Sequence, residues 1–170
     1  LENRLPANVA LFRIYWNDLQ VNTRVAGVNA SQYYIENGGD AESRGAEFDV
    51  TATPTKALIL FGGVGIVDAA YGPGSRSGDE NVGGRDLPFA PRYTWHAGAQ
   101  VTHDTAVQRQ IFARLSVNGT GRYYYDSSNR ESQGAYERVD LRAGYAAGAW
   151  RVEGWVDNLF DRDTVPLAIP

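Results

Sequence analysis

The chain contains no cysteine and no methionine. The first absence excludes disulfides and thiolate metal sites. The second leaves no internal start, so the N-terminus at Leu1 is expected to be a cut. No signal peptide opens the sequence. No run of about 18 apolar residues is present, which argues against a transmembrane helix. Lysine is scarce, and the net charge of −4 is spread in both signs along the chain. Nucleic acid as a partner would call for clustered Lys and Arg and is therefore excluded. Glycine (19) and tyrosine (10) are frequent. Glycine forms helices poorly and tyrosine favours strands, so the composition leans towards β. No stretch sustains a period of 3.6, and no helix is predicted.

Alternation with a period of two dominates, the pattern of strands with one apolar face. The clearest case runs from Gly45 to Thr53. Ala46, Phe48, Val50 and Ala52 lie on one side, and Glu47, Asp49, Thr51 and Thr53 on the other. Similar stripes run through Tyr93–Val101, Ile111–Val117, Val139–Tyr145 and Trp150–Val156. In the first strand the apolar stripe is assigned to Ala10, Phe12, Ile14 and Trp16, against a mixed face of Leu11, Arg13 and Tyr15. Lys56–Tyr71 is more apolar throughout and is also read as a strand.

The connections alternate between two kinds. Short ones are expected around Pro54–Thr55, Asp104–Ala106 and Ala147–Gly148. Long polar ones are expected from Asp18 to about Ser31, from Gly72 to Pro91, and from Asp126 to Ala135. Strict alternation of short turns and long loops marks a transmembrane β-barrel. The predicted fold is all-β, an antiparallel up-and-down meander of about seven strands. The smallest single-chain barrels have eight strands, so the chain is either part of a larger barrel or holds an unrecognised eighth strand. Open edges in lipid would leave backbone groups unsatisfied. The charged face fits a watery or filled lumen better than a dry core.

Several stretches, in order, resemble the C-terminal barrel of TonB-dependent outer-membrane receptors. They are Asn37-Gly38-Gly39-Asp40-Ala41-Glu42-Ser43-Arg44-Gly45-Ala46-Glu47, Leu87-Pro88-Phe89-Ala90-Pro91-Arg92, Tyr136-Glu137-Arg138-Val139-Asp140-Leu141-Arg142, and Asn158-Leu159-Phe160-Asp161. Asp18-Leu19-Gln20 resembles the end of an earlier outward strand. The resemblance implies a barrel of about 22 strands in the outer membrane of a Gram-negative bacterium. It implies an N-terminal plug and import of a scarce nutrient, such as a ferric siderophore, driven by TonB–ExbB–ExbD. Residues 1–170 are then expected to be the C-terminal barrel segment, without the plug or the last strand.

No grouping points to catalysis, a cofactor or a metal. His96 and His103 alternate to opposite faces. Asp157, Asp161 and Asp163 lack the spacing of a calcium loop. Gly72-Pro73-Gly74-Ser75-Arg76-Ser77-Gly78 lacks the Lys and the following helix of a phosphate loop. Arg122-Tyr123-Tyr124-Tyr125-Asp126, where a strand meets a long loop, offers stacking and hydrogen bonding to a small-molecule nutrient. Arg122 and Tyr124, on the inward alternation, are the best ligand-binding candidates, with Arg85 behind them. Asn158 and Asp161 are expected to shape a strand exit through backbone bonds. Two rival readings stay open: a small self-contained outer-membrane barrel with an adhesive or structural role, and a soluble β-sheet binding module.

Overall fold

A computed structural model describes residues 4–24 and 33–165, and among these the chain is β throughout, with no helix. In chain order the strands are β1 (Ala7–Trp16), β2 (Gln20–Arg24), β3 (Tyr33–Asn37), β4 (Ala41–Thr55), β5 (Leu58–Tyr71), β6 (Arg76–Ser77), β7 (Glu80–Asn81), β8 (Tyr93–Ala106), β9 (Arg109–Thr120), β10 (Tyr123–Tyr124), β11 (Ser132–Gln133), β12 (Tyr136–Ala147) and β13 (Trp150–Val156). Seven of them form one sheet, β1-β4-β5-β8-β9-β12-β13, with antiparallel neighbours throughout. The seven-stranded meander expected from the alternation is the observed one.

The short turns fall slightly beyond their expected places, at residues 56–57, 107–108 and 148–149. Pro54 has no amide to donate, and it sits where the β4–β5 register shifts, between Ala52 and Thr55. The strand pair therefore continues past the proline before it reverses. Gln108 and Gly148 take the left-handed conformation (φ 57° and 55°) that tight hairpin reversals use. The long connections are not plain loops. Each carries a small ribbon of its own: β2–β3, β6–β7 and β10–β11. The part of the first connection towards Ser31 lies outside the described residues.

Directly opposed residues share a sheet face, so the register sorts every side chain. One face is apolar: it holds Phe48, Val64, Ala97, Leu115 and Leu141, and at the short-turn end Trp150 and Val152. These side chains are open, with Trp150 at 79 % and Val152 at 67 % exposure. A soluble two-layer module would pack them into a dry interior, and that reading is dropped. The opposite face is ionic and carries Glu47, Asp49, Arg114, Asp140, Arg142 and Glu153.

The first strand departs from its expected orientation. Phe12 opposes Gly45 on the ionic face, while Leu11, 79 % exposed, opposes Ala46 on the apolar face. Both faces of β1 are rich in apolar residues, so period alone assigned the stripe wrongly. The reason Phe12 belongs on the ionic side is geometric. A Cβ at Gly45 would lie 2.5 Å from the Phe12 ring, so the ring lies where a side chain would otherwise stand. The arrangement recurs on the same face. Phe61 covers Gly98 and Phe112 covers Gly144, each a direct cross-strand pair. On the apolar face Trp95 covers Gly119 in the same way. Glycine in a strand is weakening by itself, and an overlying ring restores the lost packing.

Candidate functional site

The buried apolar side chains gather at the long-loop end of the sheet, where the connections pack on one another. Val21, Tyr71 and Val82 form a core, with Leu19 and Leu87 against it; Val82 is 0 % exposed. Residues 38 and 39 let the first and second connections meet. A Cβ on Gly38 would sit 2.8 Å from both the Arg76 carbonyl and Val21. The backbone seals the junction: Arg76 N donates to Gly38 O (2.6 Å), and Gly72 N donates to Asp40 O (2.7 Å). Ser75, 2 % exposed, donates its hydroxyl to Asp40 O at 2.9 Å. The glycines of the Asn37–Glu47 segment therefore have a packing reason.

The second and third connections are cross-linked by polar side chains. Arg85 Nη1 donates to Glu80 Oε1 at 2.9 Å and to Ser128 O at 3.0 Å. Ser128 Oγ donates to the other Glu80 oxygen at 2.5 Å, and Arg130 Nη2 donates to Oε1 at 3.0 Å. Ser128 and Arg85 hold the Glu80 carboxyl below the ordinary carboxylate range. Asn129 and Asp86 bond reciprocally: the Asp86 amide donates to Asn129 Oδ1, and Asn129 Nδ2 donates to Asp86 O, both at 2.9 Å. Asp126 shapes the third connection, accepting from the backbone amides of Ser128, Arg130 and Glu131.

An aromatic cluster completes the layer. Phe89 donates its amide to Tyr124 O at 2.8 Å, and its ring centroid lies 6.2 Å from Tyr123 and 5.9 Å from Tyr125. Burial pushes the Tyr123 phenol above its ordinary value. The Tyr125 hydroxyl donates to Val165 O at 2.5 Å, tying in the chain after β13. There Asn158 brackets Arg162, accepting from its amide at 2.9 Å and donating to its carbonyl at 3.1 Å. Asp161 N donates to Asn158 O at 2.9 Å. The Asn158–Asp161 segment thus shapes the strand exit through backbone bonds, as expected.

The candidate ligand residues separate. Arg122 and Tyr124 stand together: Arg122 Nη2 donates to the Tyr124 hydroxyl at 2.6 Å, and the guanidinium lies 5.0 Å from the ring centroid. Arg122 is exposed and Tyr124 half-buried. Arg85 stands apart from that pair, in the Glu80–Ser128 cross-link. Glu80 and Asn129 escaped the sequence reading, although the Asp126-Ser127-Ser128-Asn129 run is rich in residues that bond to nearby backbone. Among the described residues no group of His, Asp and Glu is placed to hold a metal.

The sheet and its loops are similar to parts of three solved structures. The ferric yersiniabactin uptake receptor FyuA from Yersinia pestis matches with a TM-score of 0.77 at 24% identity, over 95% of this chain and 23% of that one. BauA, the ferric preacinetobactin receptor from Acinetobacter baumannii, matches with a TM-score of 0.72 at 17% identity, over 95% and 24%. The siderophore receptor PiuA from Acinetobacter baumannii gives 0.67 at 20% identity, over 95% and 23%. The chain therefore spans about a quarter of the length of the structures it matches. A family model described as "TonB dependent receptor-like, beta-barrel" matches residues 1–159. With its lipid-ready apolar face, ionic inner face and packed loop layer, the chain belongs to the TonB-dependent receptor β-barrel family, transport receptors of the Gram-negative outer membrane.

Proposed function

We propose that the chain is the C-terminal barrel segment of a longer receptor that imports a scarce nutrient, such as a ferric siderophore, and performs no catalysis itself. TonB–ExbB–ExbD drives the import through an N-terminal plug of the same parent, and the barrel's last strand follows this segment. The observation that carries the reading is the division of one sheet into an exposed apolar face and an ionic face, capped at one end by interlocked loops. The three similar structures are named as receptors for ferric or siderophore cargo, which supports that class of ligand.

Arg122 and Tyr124 are the proposed ligand contacts, and Arg85 is a secondary one. An arginine beside a phenol can meet an anionic, aromatic-bearing chelate by charge and by stacking. The test uses a strain lacking the parent receptor, complemented with the wild type or with R122A/Y124A, and given radiolabelled ferric siderophores one at a time. The expected result is TonB-dependent uptake of one chelate class, weakened roughly tenfold or more by the double substitution. Uptake independent of the receptor for every chelate tried would sink the import reading. Uptake untouched by R122A/Y124A would remove those two residues from the site.

A further inference from the structure

Glu80 is held by two arginines in an unusual way. Arg85 Nη1 and Arg130 Nη2 donate to the same oxygen, Oε1, at 2.9 and 3.0 Å. The other oxygen, Oε2, accepts the Ser128 hydroxyl at 2.5 Å. Each guanidinium therefore gives Glu80 a single N–H. The Arg13–Glu42 pair between β1 and β4 shows the alternative. There Nε and Nη2 reach both carboxylate oxygens, at 2.8 and 3.1 Å. The two-point fork is the stronger arrangement, and neither Arg85 nor Arg130 makes it with Glu80.

The charges do not balance at this point either, since two cations share one carboxylate. Neighbouring acids are committed elsewhere. Asp126 accepts the backbone amides of Ser128, Arg130 and Glu131. Asp86 accepts from Arg92 Nη2 at 2.9 Å. The cluster is within reach from outside: Arg130 is 73 % exposed, and Arg85 and Glu80 are half-buried. A second tie joins the same two connections without Glu80, the reciprocal bonds of Asp86 and Asn129 at 2.9 Å. Loss of the Glu80 contacts would therefore loosen the connections without parting them.

We propose that Arg85 and Arg130 are a binding pair for anionic oxygens of the cargo, and that Glu80 is its built-in occupant, displaced when the cargo arrives. The inference rests on the importer reading. A ligand with several anionic oxygens offers each guanidinium the two-point contact that one shared carboxylate cannot. Its entry removes Glu80 from both arginines, so binding and the loosening of the second connection from the third are one event. Glu80 also sets a threshold. An anion that meets the arginines no better than a single carboxylate does not displace it, because a ligand shifts an equilibrium only by its differential affinity.

The experiment uses the full-length receptor in outer-membrane vesicles and compares the wild type with E80Q and R85Q/R130Q. The probes are three iron(III) complexes: a trianionic tris-catecholate, an anionic citrate complex and a neutral tris-hydroxamate. Binding is measured by equilibrium dialysis, and hydrogen exchange is followed across residues 126–135. An anionic probe should bind E80Q roughly tenfold tighter than the wild type, within the usual range for coupled sites. It should bind R85Q/R130Q roughly tenfold weaker or worse. In the wild type the same probe should quicken exchange. Quicker exchange in E80Q with unchanged affinity makes Glu80 a structural tie only and overturns the proposal. Binding of the neutral probe alone, or of none, also overturns it. Should E80Q loosen Tyr71 and Val82 as well, R130Q carries the test, and unchanged affinity there is equally fatal. Anion binding tightened by E80Q, in a receptor that imports none of the three probes, would leave the pair standing and sink the importer reading instead.

Discussion

The two ends of the sheet follow opposite rules. Along the middle of the strands, large apolar side chains stand in the open: Leu11, Val64, Leu115, Leu141. At the long-loop end, Val21, Tyr71 and Val82 are buried in a core typical of a water-soluble protein. One chain thus faces two solvents. Fully exposing a side chain such as Leu or Val to water forfeits about 1.5–3 kcal/mol relative to burial, so the strand surface is tolerable only against hydrocarbon. The loops face water and must find their own interior. They find it in each other.

This contrast can be broken at either end. The largest effect is expected from Tyr71→Ala, which empties the loop core and should cost the layer about 3–5 kcal/mol. Hydrogen exchange across residues 72–92 would report it, with the sheet left intact; equal loosening of the sheet would show that the layer is not separate. Next comes Val64→Arg, which puts a charge on the apolar face. It should cost about 2–4 kcal/mol in a bilayer, whereas Thr94→Arg on the ionic face should stay within about 0.5 kcal/mol. Unfolding titrations of the receptor in lipid vesicles compare the two, and similar costs would contradict the assignment of faces.

A smaller effect, about 1–3 kcal/mol, is expected from Gly144→Ala, because the new methyl overlaps the Phe112 ring. Adding Phe112→Leu should recover part of the loss, and simple additivity in the double mutant would argue against the pairing. The smallest effect concerns pH. Glu80 is held low in the folded layer, so its contribution is present above the ordinary carboxylate pKa, about 4.3. It is lost as pH falls through the lower folded value. Exchange in residues 126–135 should therefore quicken below about pH 4, while Glu80→Gln should show quick exchange already at neutral pH.

Much of the architecture was legible in the sequence because a half-apolar strand writes its period into the chain. Glu47 and Asp49 against Phe48 and Val50 left no doubt about β4. The period failed at β1, where Phe12 and Leu11 are both apolar, and hydrophobicity alone could not tell a ring covering glycine from a side chain facing lipid. The small ribbons in the connections carry too few residues to show a period. The arginine and tyrosine at 122 and 124 were visible as a cluster, and the structure keeps them side by side. The network around Glu80 was not visible, because Arg85, Ser128 and Asn129 meet only after two connections have folded together. The glycine–aromatic pairs need the register, which no single strand contains.

Those pairs give the wall a direction. Phe12, Phe61 and Phe112 each lean from an earlier strand onto the next one in the sheet, and Trp95 does the same on the far face. The rings overlap like roof tiles laid from one side. At four of its junctions the wall is thus fastened by side chains as well as by amide bonds, and a shear that slid one of those staves along its neighbour would have to lift the tile between them.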